Sequence, residues 1–192
     1  MKITETNLNR MLSLGNEFGY ILISACRQLD NPNSSLSDKE RQNYENNKNS
    51  EILEKEIINK NLSFVKVYGG YKEDGHEASE EKSFFVLNYT RDKNHLTDEE
   101  FKSFGIRLCK QFNQDSVLVC NDLTNFNPTY FSKNGSIDGT FSGKVKFNDV
   151  IQMYYTRLDN GRNANDRRFT FESKNNKWKV IKESNNYIIY IN

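Results

Sequence analysis

Five polar residues, Arg27, Glu81, Ser83, Gln114 and Asp115, have the types to hold a small ligand between them. A guanidinium forks onto a carboxylate or phosphate, carboxylates take the cationic end of a ligand, and a hydroxyl and an amide supply directional hydrogen bonds. The same residues also suit a structural ion pair of Arg27 with Glu81 and Asp115. Cys26, His76 and Asp115 have the types for a thiolate nucleophile, its base and an orienting acceptor, although a buried thiol and a solvated loop histidine account for them equally. Asp74, His76, Glu77, Glu80 and Glu81 set one imidazole among four carboxylates, at a spacing that matches no closed zinc or calcium site. No metal and no cofactor is expected. Arg157, Arg162, Arg167 and Arg168 interleave with Tyr154, Tyr155, Phe169 and Phe171, a pattern that serves either a protein interface or stacking on single-stranded RNA. The sequence has no phosphate-cradling glycine loop, no G-x-S-x-G elbow and no H-E-x-x-H.

The first five residues come together only if the chain folds in one particular way. Ser83–Leu87 is a short apolar run bounded by polar residues and predicts a buried strand. Thr97-Asp98-Glu99-Glu100 is a capping box, and Phe101, Phe104, Leu108 and Phe112 follow at helical spacing. Val117–Cys120 is the next strand. Upstream, Leu8, Met11 and Leu12 predict an N-terminal helix ended by Gly15-Asn16, and the nearly continuous apolar run from Phe18 to Cys26 predicts a central strand buried on both faces. A second capping box at Ser37-Asp38-Lys39-Glu40 opens a polar helix expected to break near Asn46 to Asn49, and Ser63–Tyr71 reads as a strand.

The order strand, helix, strand, strand, helix, strand predicts an α+β, ferredoxin-like antiparallel sheet with both helices on one face. Right-handed crossovers place the Phe18 and Ser83 strands in its middle. The first two strands then end where the third and fourth begin. Cys26, Arg27, Tyr71, Glu81, Ser83, Gln114 and Asp115 meet at that end. Beyond Asn121 short strands alternate with turns, among them Asn134-Gly135 and Asn160-Gly161, and predict a β-rich extension that widens the sheet or packs separately through Trp178. The expected division is an N-terminal helix (1–17), a ferredoxin-like core (18–122) and the extension (123–192).

With 192 residues the chain can bury a substantial core, and its formal charge of +1 sets up no global field toward nucleic acid or membrane. Residues 1–127 carry 16 Lys and Arg against 20 Asp and Glu, and residues 128–192 carry 11 against 6. That asymmetry is too mild to mark a nucleic-acid surface by itself. Cys26, Cys109 and Cys120 form an odd set without close spacing and read as reduced, buried thiols. Together with the lack of an apolar signal region or a membrane-length run, they point to the cytoplasm, the host's if the chain is phage-encoded.

Ile23-Ser24-Ala25, Asn31-Pro32, Asn43 and Asn46, Gly69-Gly70, Glu81-Lys82-Ser83-Phe84 and Phe112-Asn113-Gln114-Asp115-Ser116 together resemble a bacterial and phage family known as domain of unknown function 3293. The similarity spans roughly residues 19–120. The insert between Cys26 and Asn31 departs from that family's compact form. The resemblance implies a phage or mobile-element origin and importance for Ser24, Asn31, Glu81, Ser83, Gln114 and Asp115, but no activity.

With no complete catalytic constellation, the expectation is a non-enzymatic accessory protein that binds a protein partner as a host or defence-system inhibitor or a particle component. Tyr154, Tyr155 and Trp178 would serve its interface. The alternative is an enzyme or sensor acting on a nucleotide-like ligand at Arg27, Glu81, Ser83, Gln114 and Asp115; the second is RNA binding through the C-terminal arginines.

Overall fold

The computed structural model describes residues 5–27, 34–71, 79–140, 145–147, 151–152, 154–158, 168–171, 178–183 and 186–191, with side chains for 10–27, 34–67 and 81–140. The first half runs α1 (Glu5–Phe18), β1 (Tyr20–Ser24), α2 (Leu36–Asn59), β2 (Leu62–Tyr71), β3 (Ser79–Thr90), α3 (Asp98–Gln111) and β4 (Ser116–Cys120). Their order across the sheet is β4-β1-β3-β2, all antiparallel, as the ferredoxin-like reading requires.

α2 and α3 cover one face, burying Leu53, Ile57, Phe101, Phe104 and Leu108 against Ile21, Ile23, Phe84, Val86, Val117 and Val119. α1 covers the other, where Met11 packs with Tyr20, Phe85, Leu87, Leu118 and Cys120, and the Tyr20 and Phe85 rings stack at 4.7 Å. β1 and β3 are thus buried on both faces, which is why neither alternates along its sequence. α3 begins with the predicted box, Glu100 N donating to Thr97 Oγ1 and Thr97 N to Glu100 Oε2.

Three boundaries differ from expectation. Gly15 does not end α1; it lies within the helix, where an added Cβ would meet the Tyr20, Leu87 and Phe85 side chains at 3.3–3.4 Å, so its smallness lets α1 approach the sheet. The chain turns instead at Gly19, with φ +93°. α2 is capped by Ser35, whose Oγ accepts from Asp38 N, rather than by Ser37. It also continues through Asn46 to Asn49 without a break, because Asn46 has a tertiary role described below.

The rest of the chain supplies β5 (Thr129–Ser132), β6 (Ile137–Thr140), β7 (Val145–Phe147), β8 (Ile151–Gln152), β9 (Tyr154–Leu158), β10 (Arg168–Phe171), β11 (Trp178–Glu183) and β12 (Asn186–Ile191). β5 pairs with β4 and forms a hairpin with β6 across Asn134-Gly135; β9 pairs with β2 at the opposite edge, followed by β10 and β7. The result is a nine-stranded sheet, while β11, β12 and β8 form a separate three-stranded one. Among the described residues no helix is long and apolar enough to cross a membrane.

Candidate functional site

Past Ser24 the chain leaves the ladder and crosses the end of the sheet. Arg27 lies there, its Nη1 3.5 Å from Asp115 Oδ2. The Asp115 side chain is 88% exposed and that of Arg27 38%, so the pair is open to water and holds the fold only weakly. Glu81 belongs to the same end. Burial pushes its carboxyl up to about 7, against the opposing influence of the Ser24 hydroxyl and the Arg27 guanidinium. At neutral pH this group is therefore close to half ionised, and a further cation beside it would complete the ionisation.

Ser83 sits directly opposite Ser24 in the β1–β3 register and is buried. Gln114 is buried too, its Nε2 donating to Cys26 O at 2.9 Å and to Phe112 O at 3.3 Å. The fold thus gathers Arg27, Glu81, Ser83, Gln114 and Asp115 at one sheet end, with Asp115 and Arg27 outermost and Ser83 and Gln114 beneath. The Tyr71 side chain lies outside the described residues.

Sequence reasoning from residue types missed Ser24 and Asn46. Ser24 Oγ donates to Lys82 O at 2.7 Å and accepts from Cys26 N at 2.9 Å. Asn46 exchanges two bonds with Arg27, Arg27 N to Oδ1 and Nδ2 to Arg27 O, each 2.9 Å. The signal available for Asn46 was a helix-poor amide inside an otherwise helical stretch.

A cleft of about 410 Å³ opens on the helix-covered face, between α2 and β2–β3, lined by Asn47, Ser50, Glu51, Glu54, Lys66 and Lys82 among others. It holds the Lys66–Glu54 ion pair at 2.8 Å and the Lys82 Nζ bond to Asn47 Oδ1 at 2.6 Å. Of the five predicted ligand residues only Ser83 lines it. Glu81, the carboxyl that burial raises furthest, is not among its lining residues and is the better marker of chemistry.

The other sequence candidates fare differently. Cys26, Cys109 and Cys120 are free and buried, and burial pushes Cys109 and Cys120 up to about 11, far from thiolate chemistry. His76 lies outside the described residues, as do Asp74 and Glu77; the Glu80 side chain does as well. Among the described residues no group of three His, Cys, Asp or Glu is placed to hold a metal. Arg162 and Arg167 lie outside the described residues. Arg157 and Arg168 pair across β9 and β10, and Tyr154 and Tyr155 face Tyr71 and Gly70 in the β2–β9 register.

Comparison with known proteins changes the functional reading. A family model described as the S-adenosylmethionine lyase family matches residues 21–181. No curated protein matches the chain. Among solved structures, a phage SAM lyase in complex with S-methyl-5'-thioadenosine is similar over 66% of this chain and 87% of that one, at 18% identity and a TM-score of 0.32. The family match overturns the resemblance to domain of unknown function 3293. Among the short motifs behind that resemblance, Ile23-Ser24-Ala25 is the end of β1 and Phe112–Ser116 is the turn after α3, where Asn113 has φ +50°; these are features of topology as much as of family. It equally overturns the expectation of a non-enzymatic inhibitor or particle component of unknown function, since a lyase is an enzyme.

Proposed function

The chain belongs to the S-adenosylmethionine lyase family, and on that premise we propose that it cleaves S-adenosylmethionine at the sheet end where Ser24, Arg27, Glu81 and Asp115 meet. The observation that carries this placement is the gathering of charged groups at one sheet end: Arg27 lies 3.5 Å from Asp115, and Glu81 beside them is a carboxyl that burial raises to about 7 against the influence of Ser24 and Arg27. Beside the Arg27 guanidinium, such a group has room for a further cation. S-adenosylmethionine, with a sulfonium, an ammonium and one carboxylate, brings one.

The substrate also explains why no nucleophile–base pair is needed. Its carboxylate lies close enough to the sulfonium-bearing γ-carbon to displace sulfur from within. One C–O bond forms, closing a five-membered lactone, while the Cγ–S bond breaks and its electron pair leaves on a neutral thioether. No proton moves and no water enters. The protein's task is to bind, bend and desolvate.

Glu81 belongs beside the ammonium rather than the sulfonium. The sulfonium loses its charge in the transition state, so a carboxylate beside it would hold the ground state more tightly than the transition state. The ammonium keeps its charge throughout. Arg27 favours the ionised form of Glu81, and Asp115 restrains Arg27 from the solvent side.

The test is to incubate the protein with S-adenosylmethionine and quantify thioether nucleoside and lactone by chromatography, for wild type and Glu81→Gln. Turnover by wild type and at least a tenfold lower kcat/KM for the variant are expected, about 1.4 kcal/mol of lost interaction. Absence of turnover by wild type overturns the activity. Turnover with an unchanged kcat/KM in the variant moves the site elsewhere.

A further inference from the structure

Among the described residues, the segment that carries Arg27 is held by side-chain bonds. Cys26 N donates to Ser24 Oγ, Cys26 O accepts from Gln114 Nε2, Arg27 N donates to Asn46 Oδ1, and Arg27 O accepts from Asn46 Nδ2, all at 2.9 Å. Every backbone donor and acceptor of these two residues is therefore satisfied without a neighbouring strand. The Asn46 amide offers its donor and acceptor side by side, as a peptide group would, and acts as a one-residue strand laid against Arg27.

One further bond reaches that amide, Gln42 Nε2 donating to Asn46 Oδ1 at 3.0 Å, and Ser50 Oγ, one turn later, donates to the Asn46 backbone O at 2.8 Å. Asn is a poor helix former because its side chain competes for backbone partners. Here, in the interior of a 24-residue helix, that competition is directed at another segment of the chain.

We propose that Asn46 is a positioning residue for the lyase reaction, acting on substrate only by holding the Arg27 backbone so that its guanidinium stays between Asp115 and Glu81. The inference rests on the site assigned above and adds a residue that does not touch the ligand.

A double-mutant cycle tests it with two readouts. Asn46→Ala, Arg27→Ala and the double variant are compared for kcat/KM and for the titration midpoint of Glu81, followed by carbon NMR in the free protein; Asn46→Gln, which keeps an uncharged amide donor and acceptor on a longer stem, is the milder companion should Asn46→Ala fold poorly. Arg27 lowers the Glu81 midpoint, so Arg27→Ala raises it. The expected result is that Asn46→Ala raises it in the same direction, lowers kcat/KM about tenfold, and adds nothing in either readout once Arg27 is absent. Asn46→Gln falls between. Additive effects of the two substitutions, or a Glu81 midpoint that Asn46→Ala leaves in place, overturn the proposal. If the midpoints follow the cycle while kcat/KM does not change in any variant, the clamp stands and the assignment of the reaction to this sheet end is what fails.

Discussion

Replacing Glu81 by glutamine should make the protein more stable while it loses its substrate. Burial moves this carboxyl from its ordinary 4.5 to about 7. The folded state therefore keeps a proton that the unfolded chain has already given up. The stability this confers is complete below pH 4.5 and is lost as pH rises through about 7. At about 1.4 kcal/mol per pH unit the loss approaches about 3 kcal/mol, an upper figure because the group keeps some contact with water. Glutamine has no charge to bury. Glu81→Gln should match wild type near pH 4.5 and exceed it by up to about 3 kcal/mol at pH 8, a shift of roughly 1.5 M in the urea midpoint for an m near 2 kcal/mol/M. Urea unfolding followed by circular dichroism at pH 4.5, 6, 7 and 8 measures this directly. A variant less stable than wild type at pH 8 would refute the reasoning, because ionised Glu81 would then be a net stabilising partner of Arg27 and not a carboxylate with room for the cation of its ligand.

Two further outcomes follow from the same geometry. Asp115→Asn removes an exposed pair and should cost no more than about 0.5 kcal/mol in thermal unfolding, whereas a loss above about 1 kcal/mol would return the Arg27–Asp115 contact to a structural role. Gly19→Ala places a Cβ 2.7 Å from Cys120 O at a φ of +93° and should cost about 3 kcal/mol or more in urea unfolding; a cost below 1 kcal/mol would mean that the β1 entry shifts freely.

Local signals were sufficient for the central elements, though not for the end of α1 or the cap of α2. The Thr97 box and the Phe101, Phe104 and Leu108 face defined α3, and the double-sided burial of β1 and β3 followed from their unbroken apolar runs. Handedness then ordered four strands and brought Arg27, Glu81 and Asp115 to one end. Asn46 was misread because its propensity is a local quantity and its partner lies 19 residues away. The β-rich part was legible as strands but not as a layout. β10 and β11 follow one another in the chain, yet they belong to different sheets. The activity left no motif because the proposed reaction takes both nucleophile and leaving group from the substrate. A search for paired catalytic side chains had nothing to find.

The widened sheet has a consequence for how the protein is made. The four-stranded unit is complete at Cys120, but its two edges, β4 and β2, are closed by β5 at residue 129 and by β9 at residue 154. A ribosome partway through the message thus presents a sheet with both rims open, and at roughly 5–20 residues per second the β2 rim stays bare for roughly 2 to 7 s after β4 has been synthesised. Two such nascent chains can pair rim to rim in that interval. Fast elongation through the codons for residues 121–158, or a chaperone at the exit port, would raise the yield of soluble enzyme without altering one contact in the finished fold.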